Sequence, residues 1–113
     1  MEYWVYLACC GDNTLYTGAT TDLKRRMREH NGESTRKQGA KYTASHLPVF
    51  LAQAWAVDTW SDALRLEYAI KRCRRGEKIR LIEEPWEIKQ IAEKRKLTFR
   101  ISIVTQEITQ QVK

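Results

Sequence analysis

Two short runs of aromatic and β-branched residues, 3–9 and 15–19, are separated by Gly11, Asp12 and Asn13, three residues that tolerate turn geometry. This spacing predicts a β-hairpin, which commits the chain from its first residues to an antiparallel sheet. Residues 49–57, VFLAQAWAV, have strand composition and follow Pro48, placed where its missing donor does least harm. They supply a third strand.

The segments between and after these strands have helical periods. Thr20 or Thr21 can cap a helix whose first turn holds Asp22. Leu23 and Met27 make an i, i+4 apolar seam ending near Asn31 and Gly32, so about three turns are expected. Residues 33–40 are polar, carry Arg36 and Lys37, and lie between Gly32 and Gly39, which reads as an exposed loop. Thr59 with Asp62 resembles a capping box. Ala63, Leu66, Ile70 and Cys73 then recur at helical spacing to about Arg74. Gly76 interrupts, residues 77–82 form a short helix turning Ile79 and Ile82 to the core, and Pro85 marks a boundary. Residues 86–95 read as a helix, and 97–104 as a strand through alternating Phe99, Ile101 and Ile103. The expected class is α+β, a small three-stranded antiparallel sheet flanked by helices, with a C-terminal helix and strand extension.

A chain of 113 residues has room for one domain with one modest core. No apolar run approaches the roughly 18 residues that span a bilayer, so no membrane partner is expected. The first ten residues lack the features of a signal peptide, and a cytoplasmic location is the expectation. Cys9, Cys10 and Cys73 are odd in number and have no CxxC spacing, which favours small buried hydrophobes over a disulfide framework or a zinc site. The net charge of +6 favours an acidic partner such as nucleic acid. Residues 1–82 hold 14 Lys and Arg against 9 Asp and Glu, whereas 83–113 hold 6 against 5, so the surplus sits in the first part. The four tryptophans, Trp4, Trp55, Trp60 and Trp86, are mostly assigned to the core.

Several polar residues in that part suit phosphodiester chemistry, and each has a plainer reading. Tyr6 and Tyr16 lie close on paired strands, and either line a cleft or pack as ordinary strand tyrosines. Gly18 lets a phosphate approach the backbone or simply ends a strand. Arg26 and His30 are four apart and share a helix face, a fixed cation beside a titratable imidazole. The alternative is a solvated basic face with Asp22 and Glu29 as ordinary ion-pair partners. Glu67 interrupts an apolar stripe, where a carboxylate costs several kcal/mol unless compensated by a divalent cation or by a structural ion pair. Lys71, Arg72, Arg74, Arg75, Lys78 and Arg80 follow as a second basic cluster, able to track a nucleic-acid backbone or to be an exposed helix end.

In order and spacing these residues resemble the GIY-YIG nuclease superfamily, with Trp4, Val5, Tyr6 as the first motif and Tyr16, Thr17, Gly18 as the second. The segments LYTGATTDLKRRMREHNG, AKYT and EYAIKRCRRGEKIRLI are most similar to its small stand-alone branch, the UPF0213 or YhbQ-like proteins. The resemblance implies a catalytic domain over residues 1–84, with 85–113 packed on it as an extension. It further implies Tyr6, Tyr16, Arg26, His30 and Glu67 as catalytic residues, and Glu67 as ligand to Mg²⁺ or Mn²⁺. Gly18, Lys41, Tyr42, Arg72 and Arg75 would contact substrate. The implied reaction is metal-dependent hydrolysis of DNA phosphodiesters with little sequence specificity, in repair or recombination, aided by a targeting protein. Family resemblance favours Tyr6 as the base; intrinsic pKa favours His30. A non-catalytic nucleic-acid-binding module of the same fold, and an interaction domain using the tail after Pro85, are the competing expectations.

Overall fold

The structure is a computed structural model that describes residues 2–31 and 48–103. Strands β1 (Tyr3–Cys10) and β2 (Leu15–Thr20) form the expected hairpin. At its turn the Asn13 N–H donates to the Cys10 carbonyl at 2.9 Å, and Asn13 adopts φ 72°. This is the left-handed position that closes a three-residue hairpin loop, and asparagine tolerates it better than most side chains. Helix α1 (Leu23–His30) follows, then β3 (Val49–Val57), α2 (Trp60–Lys71), α3 (Arg75–Glu83), a 3-10 turn (Pro85–Glu87), α4 (Ile88–Lys94) and β4 (Ser102–Ile103). The sheet is antiparallel in the order β2-β1-β3-β4.

Because β1 is internal and covered on both faces, its alternation separates two cores. Val5 and Leu7, with Trp55 and Val57 of β3, face Ala63, Leu66 and Ile70 of α2, Leu81 of α3 and Ile88 of α4. Tyr6, Ala8 and Cys10, with Leu51 and Ala54, face Leu23 and Met27 of α1. The layers are therefore α1, sheet, and α2 with α3 and α4. The register slips by one residue after Leu7, so that Gln53 faces Leu7 while Leu51 faces Ala8. At the slip the Gln53 amide donates to the Ile82 carbonyl at 3.2 Å. The buried Trp55 indole donates to the Pro85 carbonyl at 3.0 Å, tying the segment after α3 to the sheet.

Several boundaries differ from expectation. The sheet has four strands, since Ser102 and Ile103 pair with Ala56 and Trp55. Only these two residues of the expected 97–104 strand are extended within the described chain. Lys96 turns at φ 59° while the Leu97 N–H closes on the Ala92 carbonyl at 2.8 Å, so the chain leaves α4 through a helix-ending turn. Helix α1 is shorter than three turns, and Asp22 caps it, accepting from the Arg25 N–H at 3.0 Å. Thr20 instead accepts from the Asp22 N–H at 3.1 Å, setting the approach to the cap. Thr59 does cap α2, accepting from the Asp62 N–H at 3.0 Å, but α2 ends at Lys71. Gly76 lies inside α3 rather than before it, and Leu81, not the exposed Ile79, is the residue of α3 buried in the core. Trp60 and Trp86 are exposed, and Cys9 and Cys73 are only partly buried. Among the described residues no helix is long and apolar enough to cross a membrane.

Asn31, just past α1, joins that helix to β3. Its amide donates to the carbonyls of Met27 at 3.0 Å and Val49 at 2.9 Å, and its carbonyl accepts from the Val49 N–H at 2.8 Å. A side chain thus pairs with the backbone at the first residue of β3. Asn31→Ala strands both Val49 groups and is expected to destabilise the fold by about 1–3 kcal/mol in urea unfolding. A loss under about 0.5 kcal/mol, the usual scatter of surface changes, would show the clamp to be dispensable.

Candidate active site

On the α1 face of the sheet Tyr6, Tyr16 and His30 meet among largely apolar neighbours. β1 aims Tyr6 at α1, and its directly facing partner on β2 is Gly18. A Cβ on Gly18 would lie 2.6 Å from Cζ of the Tyr6 ring and closer still to its hydroxyl. Glycine is needed there so that the phenol can cross β2, a packing reason distinct from both sequence readings. Tyr16, facing Ala8, brings its ring centroid to 6.3 Å from that of Tyr6.

From the other side α1 is anchored by Leu23 and Met27, and His30 continues their i, i+4, i+7 stripe into the interior, where it is 1% exposed. Its Nε2 lies 2.7 Å from the Tyr6 hydroxyl, and its ring packs edge-on against Tyr16 at 5.0 Å. Arg26, one turn earlier, donates from Nε to the same Tyr6 oxygen at 3.3 Å. Glu29 holds the guanidinium from outside at 3.1 Å and reaches Arg25 at 3.8 Å.

Arginine only donates, so the Tyr6 oxygen accepts from it. A neutral imidazole carrying its proton on Nδ1 can accept the Tyr6 proton at Nε2. Burial, reinforced by the Arg26 charge and only partly opposed by Glu29, lowers the imidazole pKa from 6.5 to about 4. This corrects the expectation that His30 titrates near neutrality without help. Burial likewise drives the Tyr6 phenol far above its usual range; Arg26 pulls it back through charge and hydrogen bond, while Tyr16 and Glu67 push it further up. For Arg26, burial works against the charge but Tyr6, Glu29 and Tyr16 outweigh it, and its pKa is raised.

Glu67 comes from α2, which packs on the opposite face over β1 and the edge strand β2, and its negative charge is felt at Tyr6. Its side chain is 18% exposed and pairs with Lys71 Nζ at 3.3 Å. The structural partner is thus a lysine one turn along, not an arginine. Among the described residues no group of three or more His, Cys, Asp or Glu is placed to hold a metal ion. A closed zinc-type site finds no ligands there. A hard cation such as Mg²⁺, which takes one or two carboxylates and keeps water and phosphate oxygens, does fit a single accessible Glu67.

The other expected substrate contacts are dispersed. Arg72 donates to the Tyr68 hydroxyl at 3.1 Å and stacks over its ring, Arg75 is exposed at the start of α3, and Arg80 is engaged by Glu84 and Glu87. Lys41 and Tyr42 lie outside the described residues. Glu29 as the clamp on Arg26, and Asn31 as the anchor beneath His30, were not among the expected site residues. The i, i+3 spacing of Arg26 and Glu29 was the available signal.

The model of the GIY-YIG catalytic domain matches residues 2–80. The chain belongs to the GIY-YIG family. It also belongs to the UPF0213 branch: a UPF0213 protein of Haloquadratum walsbyi is 46% identical over 88 residues, covering 78% of this chain and 94% of the relative. One from Syntrophus aciditrophicus is 44% identical over 81 residues, covering 72% and 90%. One from Staphylococcus aureus is 44% identical over 83 residues, covering 74% and 96%. The solution structure of a UPF0213 protein from Bacillus halodurans is 36% identical, covers 79% of this chain and 94% of its own, and superposes with a TM-score of 0.46. The GIY-YIG domain is that of a nuclease family. Its first tyrosine is here the buried Tyr6, and its second-motif glycine the residue on which Tyr6 lies.

The depressed His30 has a consequence for stability. Between pH 6.5 and about 4 the unfolded chain binds a proton at this imidazole and the folded chain does not, so stability falls as pH drops through that window. The expected loss is on the order of 2 kcal/mol. Urea unfolding followed from pH 7 to 4 should show it, and His30→Gln should flatten that part of the curve. An identical slope in the two proteins would remove His30 as its cause.

Proposed function

We propose that the protein is a metal-dependent endonuclease hydrolysing DNA phosphodiesters, with Mg²⁺ or Mn²⁺ held by Glu67. The observation that carries this reading is the hydrogen-bonded chain Arg26–Tyr6–His30, buried at its His30 end, with the partly exposed Glu67, paired to Lys71, near enough for its charge to act on Tyr6. A bound divalent cation supplies charge neutralisation at the phosphate and a more acidic bound water.

The chain's own groups divide the remaining work. Guanidinium nitrogens of Arg26, braced by Glu29, serve phosphoryl oxygens on which charge accumulates. Tyr6 passes its proton to His30 Nε2 across 2.7 Å, which frees its oxygen to take a proton from the Arg26 side. The charge that develops on that oxygen lies 3.3 Å from Arg26 Nε. Burial makes this transfer uphill at rest, so the relay works when substrate displaces water and engages Arg26. In this scheme Tyr6 and His30 share the role of base. Recognition of DNA shape or ends, with targeting by a partner protein, is part of this reading. A place in repair or recombination would follow from such a preference.

The decisive assay is cleavage of labelled duplex, flap, branched and single-stranded DNA with Mg²⁺ or with EDTA. Glu67→Gln is expected to abolish metal-dependent cutting, and Arg26→Ala to lower it about 10²–10³-fold, both with the fold retained. A wild type as inactive as Glu67→Gln on every substrate, yet still binding DNA, would make the protein a binding module instead. The pH profile tests the relay separately. With His30 already neutral above about pH 4, the cleavage rate should show no inflection near 6.5. An inflection there that disappears in His30→Gln would refute the buried relay.

A further inference from the structure

The outward side of α2 carries Trp60, Leu64 and Tyr68, which are 41%, 45% and 59% exposed. Their i, i+4, i+8 spacing lays them on one ridge about 12 Å long, where a solvated helix normally presents polar side chains. Both ends of the ridge are braced. The Tyr3 ring supports Trp60 at 5.9 Å between centroids, and Arg72 stacks 5.6 Å from the Tyr68 centroid while donating to its hydroxyl at 3.1 Å. Large side chains held in place beforehand lose little entropy when a partner arrives. Beside them runs a groove of about 490 Å³, lined by Leu64, Tyr68, Ala69 and Leu97 together with Arg65 and Arg95, with room for side chains from outside.

The pattern of the ridge selects its occupant. It is aromatic, leucine, aromatic, so that about a twofold axis at Leu64 the two aromatics of one copy meet those of the other. Its charges are opposite at the two ends. Exposed Asp58 precedes the N-terminus of α2, and Lys71 and Arg72 close its C-terminus. Antiparallel packing about Leu64 sets Leu64 on Leu64, Trp60 on Tyr68, and Asp58 beside Lys71 and Arg72 of the second copy, at both ends at once. Parallel packing would oppose like charges. Residues 58–72 hold Asp58, Asp62 and Glu67 against Arg65, Lys71 and Arg72, a balanced stretch in a chain of net charge +6. Nucleic acid draws its affinity from cationic surfaces. A neutral apolar ridge is where two copies of a basic protein meet with least repulsion.

We propose that this outer ridge of α2 is a homodimer interface, formed by antiparallel packing of Trp60, Leu64 and Tyr68 against the same ridge of a second copy. It adds an assembly to the chemistry above without depending on it, because mass rather than cleavage tests it. Sedimentation equilibrium of the full chain should show a dimer. Leu64→Glu should raise its dissociation constant at least about hundredfold, and Asp58→Lys and Arg72→Glu about tenfold each. Combining the two charge reversals should recover part of the loss, because the Asp58–Arg72 pair re-forms with its signs exchanged while Lys71 keeps its charge. Far-ultraviolet circular dichroism confirms that each of these surface variants is folded. A wild type that remains monomeric, a dimer untouched by Leu64→Glu, or a double reversal no tighter than the weaker single variant would each overturn the proposal. A monomer whose binding to a single-stranded oligonucleotide is weakened by Leu64→Glu would overturn it too, assigning the ridge to nucleic acid.

Discussion

Everything on the α1 side of the molecule depends on satisfying one hydroxyl. Tyr6 stands in the middle strand of the sheet, 0% exposed, and its phenolic oxygen would cost about 1–3 kcal/mol if left there without partners. Three features of the chain meet that demand together. Gly18 removes the side chain that would block the ring, His30 accepts its proton, and Arg26 donates to its oxygen. Each is constrained by the others: the glycine matters because the tyrosine crosses it, and the histidine stays neutral because burial, with the Arg26 charge beside it, disfavours the imidazolium. A packing requirement and a proton path are here the same set of contacts.

The two faces of β1 divide the labour of the fold. Towards α2 the strand offers Val5 and Leu7 to an apolar core that also takes Leu66, Ile70, Leu81 and Ile88. That core holds the sheet without calling on any site residue. On the α1 side the strand offers Tyr6, and the helix returns Arg26 and His30 at one-turn spacing. α1 itself is short, and is fixed at its beginning by Asp22 and at its end by Asn31 on Val49. Fixing both ends lets an eight-residue helix hold a guanidinium and an imidazole in register with a strand. Glu67 belongs to the other layer, on the helix that packs over β1 and the edge strand β2.

What the sequence made legible follows from the range of the interactions. Hairpin, third strand and the main helices were readable because strand alternation, turn residues and the Thr59 cap act within a few residues. So was Glu67, since a carboxylate on the stripe of Ala63, Leu66 and Ile70 stands out against a helical period. The ionisation of His30 was hidden, although extending the Leu23–Met27 seam by three residues lands on it. Spacing shows that a residue faces inward and leaves open what it meets there; the neutral state follows only once the depth of burial and the Arg26 charge beside it are known. Asn31 was illegible for a related reason, as its partner Val49 is 18 residues away and offers only backbone. The alternation of Phe99, Ile101 and Ile103 was a true record of burial preference but a poor guide to pairing. Phe99 and Ile101 pack on the core without strand geometry, and pairing begins only at Ser102.

Charge is organised by contact rather than by count. The surplus in residues 1–82 suggests a continuous cationic surface, yet several of its members are committed locally: Arg26 to Tyr6 and Glu29, Lys71 to Glu67, Arg72 to Tyr68, and Arg80 to Glu84 and Glu87. Such pairs are weak where water reaches them, so they orient side chains more than they hold the fold together. Arg26 differs because its side chain is only 13% exposed and its donors are aimed by a tyrosine on one side and a glutamate on the other. A guanidinium held in this way changes little when an anion replaces Glu29 at its outer edge, and an electrostatic site needs that preorganisation. Lys71 stands towards Glu67 as Glu29 does towards Arg26, an exchangeable partner on the solvent side of a charge fixed by the fold. In the nuclease reading proposed above, phosphate and divalent cation replace these two partners and arrive together on a nucleic-acid backbone.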